Sequence, residues 1–322
     1  MFLEFGDVTG FDMRQNFEIF AFCEQHSKFS IPGVDDLTPG VFTLHVQYSQ
    51  GISPSIINDH ITRHVKSYSV PTQVPSRIFR MPLAFDDGVC RAAIKRYENT
   101  IRHQAPWLPN KTEFIKFLAE LNGLETVADL LYEASFLVLG LGDVFMGSPC
   151  ANPIDPRHRL FGSKYNLSRS FTPRGAVGIG GQYMCIYATD SPGGYQLVGR
   201  TKEIWDHGCA SICSGRDGLI DLGAGSPELV RIEESVLDLT EYESWLAKNK
   251  LDIESRKAHQ ARAISSSPFI EELARPYLQP NSDSGKDNPQ LGADTVPGEW
   301  IQAMMPGRCY KINVEEGDIV NK

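Results

Sequence analysis

The chain has 322 residues, of which 41% are hydrophobic, 10% aromatic and 22% charged, the composition of a folded protein with room for about two domains. Thirty-one basic against forty acidic side chains leave a formal charge of -9, and no Lys/Arg block is present that could neutralise a phosphate backbone, so nucleic acid is excluded as a partner. The start, Met1-Phe2-Leu3-Glu4, lacks a basic leader, and no apolar run approaches the roughly 20 residues that cross a bilayer, which predicts a cytoplasmic protein with no membrane partner.

Phe2 to Val8 reads as an edge strand, and Phe17, Phe20, Ala21 and Glu24 repeat at helical spacing over residues 12–28. Turns follow at Pro32-Gly33 and Thr38-Pro39-Gly40. Val41 to Tyr48 then alternates as a strand, and Ser53 to Tyr68 returns to helical spacing, closing a β-α-β-α unit near residue 75. The chain restarts with a strand over Ser76 to Phe85 and helices near 87–103, 110–122 and 125–133, with Asp86 and Asn110 as expected N-caps. Ala134 to Leu139 is an apolar strand running into Gly140-Leu141-Gly142-Asp143. From there to Thr201, short apolar runs are cut by closely spaced Gly and Pro, the texture of a compact barrel whose turns bring backbone N–H groups near a ligand. Residues 229–264 read as helical, 275–298 as a linker, and Glu299 to Lys322 as a pair of strands too short to bury a core alone.

Several motifs lead nowhere. Gly178-Ile179-Gly180-Gly181 has the look of a phosphate-binding loop, but Gln182 to Ala188 alternates like a strand where that loop requires a helix. His207, Cys209 and Cys213 lack a second ligand pair, so no metal is expected, and seven cysteines scattered from Cys23 to Cys309 read as reduced thiols. In that setting the sequons at Asn110 and Asn166 carry little weight. Ser168, Ser170 and Ser191 sit in no nucleophile elbow and have no cue for a His/Asp partner. The informative stretch is Asp155-Pro156-Arg157-His158-Arg159 with Lys164-Tyr165-Asn166 and Arg169. It gathers cationic and amide donors, either as a solvated loop or as an anion site in which Arg forks and a Lys hold a carboxylate.

Longer blocks carry a resemblance. They are Leu37-Thr38-Pro39-Gly40, Arg96-Tyr97 with Ala105-Pro106-Trp107, Leu137 to Val144, Asp155 to Leu160, Lys164-Tyr165-Asn166, Ala176 to Gly181, and Pro192-Gly193-Gly194-Tyr195-Gln196-Leu197-Val198-Gly199-Arg200-Thr201. In this order, from Phe2 to about Ile264, the chain resembles the second half of the carboxyltransferase domain of the urea carboxylase family of urea amidolyases, and more distantly the allophanate hydrolase subunit 1 proteins. Ile301 to Arg308 with Val314 to Val320 looks like the opening strands of a biotinyl carrier domain, whose Glu-Ala-Met-Lys turn is not reached by Lys322.

The resemblance implies an α+β fold: a small α/β N-terminal domain over 1–75, a cyclophilin-like β-barrel over 76–230, a helical segment over 231–264, a linker over 265–298, and a truncated biotinyl-domain tail over 299–322. It implies a carboxyltransferase that moves a carboxyl group from carboxybiotin to urea, or a related amide, to give allophanate, with no metal in that step. Arg157, His158 and Lys164 are then the expected stabilisers of carboxylate or of the biotin carbonyl. Asp155, Asn166, Tyr183, Tyr187 and Gln196 are the expected hydrogen-bond partners of urea or biotin. Gly178, Gly180, Gly181, Gly193 and Gly194 would allow close backbone approach, with Arg200 as a second anion clamp.

The implied partners are a first-half carboxyltransferase domain and a biotinylated carrier, with ATP entering only through a separate biotin carboxylase. Between Trp205 and Val230 the family has an apolar strand pair ending the barrel, whereas Asp206 to Gly218 is too rich in Gly, Ser and Asp for a central strand, which would leave the barrel incompletely closed. The rival expectation is a diverged, non-catalytic half acting as a binding or regulatory protein, since a fold alone does not carry chemistry.

Overall fold

The structure, a computed structural model, describes residues 1–5, 11–65, 69–103, 127–142, 148–160, 164–204, 218–223 and 230–265. All of these fall in one compact unit, Met1–Glu272. The expected helix over 110–122 with its cap at Asn110, the linker and the biotinyl-like tail lie outside the described residues.

The first segment builds a three-stranded antiparallel sheet from β1 (Phe2–Glu4), β2 (Val34–Pro39) and β3 (Thr43–Tyr48), in the order β1-β3-β2. The sequence reading placed a turn at Thr38-Pro39 and missed β2, because Asp35 and Asp36 break its apolar alternation. Both aspartates are exposed, at the register shift between Val34 and Asp36. Helix α1 (Met13–Lys28) starts where Asp12 caps it by accepting from the Arg14 N–H, and α2 (Pro54–Val65) follows β3. Ile19 and Phe22 of α1 join Ile57 and Ile61 of α2 over Leu44 and Val46 of β3 in one apolar cluster.

The main element is a nine-stranded sheet. Its strands are β4 (Gln73–Pro82), β5 (Ala84–Phe85), β6 (Ser135–Gly142), β7 (Ser148–Pro153), β9 (Ala176–Gly180), β10 (Tyr183–Ile186), β12 (Gln196–Arg200), β13 (Gly218–Gly223) and β14 (Arg231–Asp238). They run in the order β14-β4-β13-β6-β7-β10-β9-β12-β5. A separate two-stranded ribbon pairs β8 (Arg169–Thr172) with β11 (Ser191–Gly193). No ladder joins β14 to β5 among the described residues, so the expected barrel corrects to an open hydrogen-bonded order of mixed α/β character.

Three further expectations change. Residues 231–238 are strand, not helix: β14 pairs antiparallel with β4 from Arg231↔Arg80 to Asp238↔Gln73. The mixed charges that suggested a helical face are those of an edge strand, where Glu233 accepts from Arg80 at 3.0 Å. Residues 205–217 lie outside the described set, but within the span expected to lack a central strand, β13 begins at Gly218 and lies between β4 and β6. Helix α3 (Gly88–Thr100) is capped by Asp87, which accepts from the Val89 and Cys90 N–H groups. Asp86 instead takes a φ of 54° in the turn out of β5 and ion-pairs with Arg91.

Helix α4 (Val127–Glu133) packs Val127, Leu130 and Leu131 with Phe79, Phe136, Val138, Val177, Ile179, Met184 and Ile186 in the largest apolar cluster, on one face of the sheet. On the reverse face, Leu137, Leu139 and Leu219 are covered by Met13 and Phe17 of α1 and by Leu239 and Tyr242 of α5 (Leu239–Lys248). Helix α1 therefore belongs to two cores and ties the small sheet to the large one. Helix α6 (Lys250–Ser265) follows α5 directly. No helix among the described residues is long and apolar enough to cross a membrane.

Candidate functional site

Strand alternation sorts β10 cleanly. Met184 and Ile186 enter the large core, leaving Tyr183 and Cys185 on the reverse face, with Gly180 and Gly178 opposite them on β9 and Cys150 opposite Cys185 on β7. The two strands are joined by Gly181 and Gln182, a two-residue turn that needs the left-handed φ of 63° found at Gly181. No helix follows the glycines, in keeping with the rejection of a phosphate loop.

The ring of Tyr195 lies on the strip these glycines leave. A Cβ added at Gly180 would come within 2.5 Å of the ring, and one at Gly178 within 2.8 Å of the Tyr195 Cβ. Exposed Lys164 carries its ammonium 4.9 Å from the Tyr195 ring centroid. Burial, reinforced by the neighbouring Cys150 and Cys185, pushes the Tyr195 phenol well above its usual range. Burial likewise raises the Cys185 thiol to about 12, while Lys164 works against the rise at Cys150. Beneath lies Arg169, 1% exposed, donating to the Tyr195 carbonyl at 2.7 Å and to the Thr172 hydroxyl, with its guanidinium 4.5 Å from the Tyr165 ring centroid. Tyr187 is buried beside it, its hydroxyl accepting from the Tyr195 N–H at 3.4 Å. Gly193 makes room for that hydroxyl, since a Cβ there would meet it at 2.5 Å. Gly194 has only ordinary contacts.

The Asp155 turn is a second centre, under the C-terminal helices. Asp155 caps the 3-10 turn Pro156–His158, and the Arg157 guanidinium grips the same carboxylate through Nε at 3.1 Å and Nη2 at 2.8 Å. Arg157 also lies 5.2 Å from the Trp245 ring centroid and donates to Asn249 Oδ1 at 3.4 Å, so it fastens the turn to α5. Its hydrogen bond to Asp155 holds the guanidinium above its usual pKa. His158 Nε2 is 3.8 Å from Asp155, and both line a pocket of about 320 Å³ with Glu133, Glu241 and Trp245.

The structure thus distributes the expected set over separate places. Lys164 stands above the Tyr195 platform and Tyr183 at its edge. The Asn166 carbonyl accepts from Arg102 at 2.8 Å. Asp155, Arg157 and His158 form the second centre. Gln196, 2% exposed, is paired opposite Ile179 and so belongs to the core side of the sheet. Arg200 is 3.5 Å from Asp87 at the start of α3, apart from both centres. The residues 207, 209 and 213 lie outside the described set, and no group of three or more potential metal ligands occurs among the described residues.

A family model for the carboxyltransferase domain, subdomains C and D, matches residues 1–213. The chain belongs to this carboxyltransferase family. It is 39% identical over 89% of its length to the urea amidolyase of Saccharomyces cerevisiae and 36% identical over 99% to that of Lachancea kluyveri. It spans only 17% and 19% of those two proteins. The crystal structure of Kluyveromyces lactis urea carboxylase is similar over 89% of the chain and 27% of that protein, with a TM-score of 0.74 and 33% identity.

Within this carboxyltransferase segment, residue-level reading overlooked Tyr195, the aromatic on which the reverse face is organised. Its signal was available: glycines at alternate positions of one strand leave a strip that an aromatic fills. Cys150 and Cys185 were overlooked as well, because their juxtaposition depends on β7–β10 register and not on spacing.

Proposed function

We propose that this chain is the second half of a urea-carboxylase-type carboxyltransferase, moving a carboxyl group from carboxybiotin on a carrier to urea or a related amide, with a first-half domain completing the site. The observation that carries the reading is the shared fold and 33% identity with a urea carboxylase over 89% of the chain.

The residues suit a ureido group and a carboxylate. Lys164 is an exposed cation held over the Tyr195 ring, and the glycine strip beneath seats that ring close to the backbone, so that the cation and the ring are what a ureido group would meet. Biotin, when bound, supplies the transferable carboxyl group. Lys164 would hold the negative charge that develops during transfer, where a fixed cation is worth most. Tyr183 would orient the acceptor from the edge of the platform. Asp155 and His158 would offer an acceptor and a donor to an amide edge at the second pocket. Arg157, bound on several sides, acts as a positioning residue for Asp155, and Tyr187, Gln196 and Arg169 act as scaffolding.

The test is reconstitution of the full chain with a first-half carboxyltransferase protein and a carboxylated biotinyl carrier, following discharge of the carrier with and without urea. Urea-dependent discharge supports the reading. Urea-independent behaviour, with an intact complex, contradicts it. A binding or regulatory role is the second reading, favoured by the separation of Lys164, Asp155 and Arg200 into distinct places.

A further inference from the structure

A cleft of about 640 Å³ opens beside the platform, between the start of α1, the turn after β9, and helices α5 and α6. Its walls are apolar at Phe11, Leu246, Ile253 and Tyr242, and Arg159 and Gln182 supply polar groups. Arg159 is the unusual member. Its Nε donates to the Pro153 carbonyl at 3.2 Å and its Nη1 to the Phe11 carbonyl at 3.3 Å, while its plane lies 5.2 Å from the Phe11 ring centroid. The remaining nitrogen, Nη2, is buried and completes no hydrogen bond of its own, with the Tyr242 phenol close enough to act on the guanidinium.

The nearby carboxylates are engaged elsewhere. Asp155 is gripped by Arg157, Asp12 accepts the Arg14 N–H as a helix cap, and Glu254 stands 3.8 Å from Lys250. No carboxylate among the described residues lies within ion-pairing distance of Arg159. A largely desolvated guanidinium whose nearest carboxylate influence, Asp155, is already gripped by Arg157 is incompletely compensated, and that costs free energy. Burial accordingly pulls its pKa below the usual value, with Tyr242 as the main opposing influence. Lys257 at the cleft rim adds a further positive charge. The unspent charge of the cleft is therefore cationic, with the Arg159 guanidinium in its lining and apolar walls around it.

We propose that this cleft is a binding site for a small organic carboxylate with an apolar body, whose carboxylate meets Arg159 while the body packs between Phe11, Tyr242 and Ile253. The proposal does not depend on the carboxyl-transfer reading, because it concerns binding by the chain alone. It makes Arg159, and not Arg157, the anion fork of the Asp155-to-Arg159 motif.

The probe is 2-naphthoate, titrated calorimetrically into the full chain, with 2-naphthamide as its uncharged counterpart. The acid is expected to bind about tenfold or more tightly than the amide, since a charged fork discriminates on that scale. Arg159→Lys keeps the charge but loses the fork geometry, and is expected to lose about tenfold. Gln182→Glu leaves Arg159 in place and puts a carboxylate in the cleft, so it is expected to abolish binding of the acid while the thermal unfolding midpoint does not fall. No binding of 2-naphthoate, equal binding of acid and amide, or unchanged acid affinity in folded Gln182→Glu would each overturn the proposal.

Discussion

The two faces of the nine-stranded sheet are built from the same strands and do different work. One face is predominantly apolar, with Phe79, Phe136, Val138, Ile179, Met184, Ile186 and Ile220 in one cluster under α4. The reverse face changes character along its width: leucines under α1 and α5 at β6 and β13, then Gly178, Gly180, Tyr183, Cys150 and Cys185 beneath Tyr195 at β7, β10 and β9. Period-two alternation makes this division possible, because each strand can hold the fold with one set of side chains and leave the other set for chemistry. If the Tyr195 platform is the site, stability and activity are separable by mutation of the two faces.

The largest test of that separation is on the core face. Phe136→Ala removes a 1% exposed ring and is expected to cost about 3–5 kcal/mol in chemical denaturation; a cost under about 1 kcal/mol would deny that this face is the stabilising one. On the reverse face, Gly180→Ala forces a methyl against the Tyr195 ring, and overpacking of this kind costs about 1–3 kcal/mol. Its characteristic result is displacement of Tyr195, read as a change in near-ultraviolet circular dichroism. An unchanged spectrum with unchanged stability would remove Tyr195 from its platform.

Arg157→Ala is expected to cost about 1 kcal/mol, since the guanidinium is 32% exposed and its bonds to Asp155 are partly screened. If Arg157 positions Asp155, then Arg157→Lys should restore melting temperature only in part, the bidentate grip being lost. A smaller effect at any one pH comes from the buried acids. Burial raises Cys185, Tyr165 and Tyr242 each to about 12, above their ordinary values. Their protonated forms are thus favoured in the folded chain. The corresponding stability is complete below the ordinary values of 9.0 for the thiol and 10.0 for the phenols, and is lost as pH rises toward 12. Iodoacetamide should accordingly modify Cys185 slowly at pH 8, and rapid labelling of the folded chain would show that the thiol is not so shielded.

Legibility from sequence followed the same division. Helix α1 and strand β10 were readable because burial on one face imposes the pattern, and the strand around Phe136 because it is a short apolar run. Strand β14 was misread because an edge strand tolerates charge on both sides, and the charges of Glu233 and Glu234 imitated a helical surface. The helix cap slipped from Asp87 to Asp86 because two adjacent aspartates present the same signal, and only the φ of 54° at Asp86 decides between them. The candidate site was legible as a set of motifs but not as a geometry. Arg157 and Arg159 are two residues apart and serve different masters, one held by Asp155 and the other facing the cleft. Sequence order cannot tell a satisfied guanidinium from an unsatisfied one.

The most direct measurement is the rate of urea-dependent discharge of a carboxylated biotinyl carrier by the chain reconstituted with a first-half carboxyltransferase protein, comparing the native chain with Lys164→Ala. Lys164 is exposed, so its removal should change stability by less than about 0.5 kcal/mol. The account predicts a loss of discharge rate on the order of 10²-fold, with the melting temperature unchanged. An equal rate in the two proteins would contradict the assignment of the Tyr195 platform as the place where carboxyl transfer occurs.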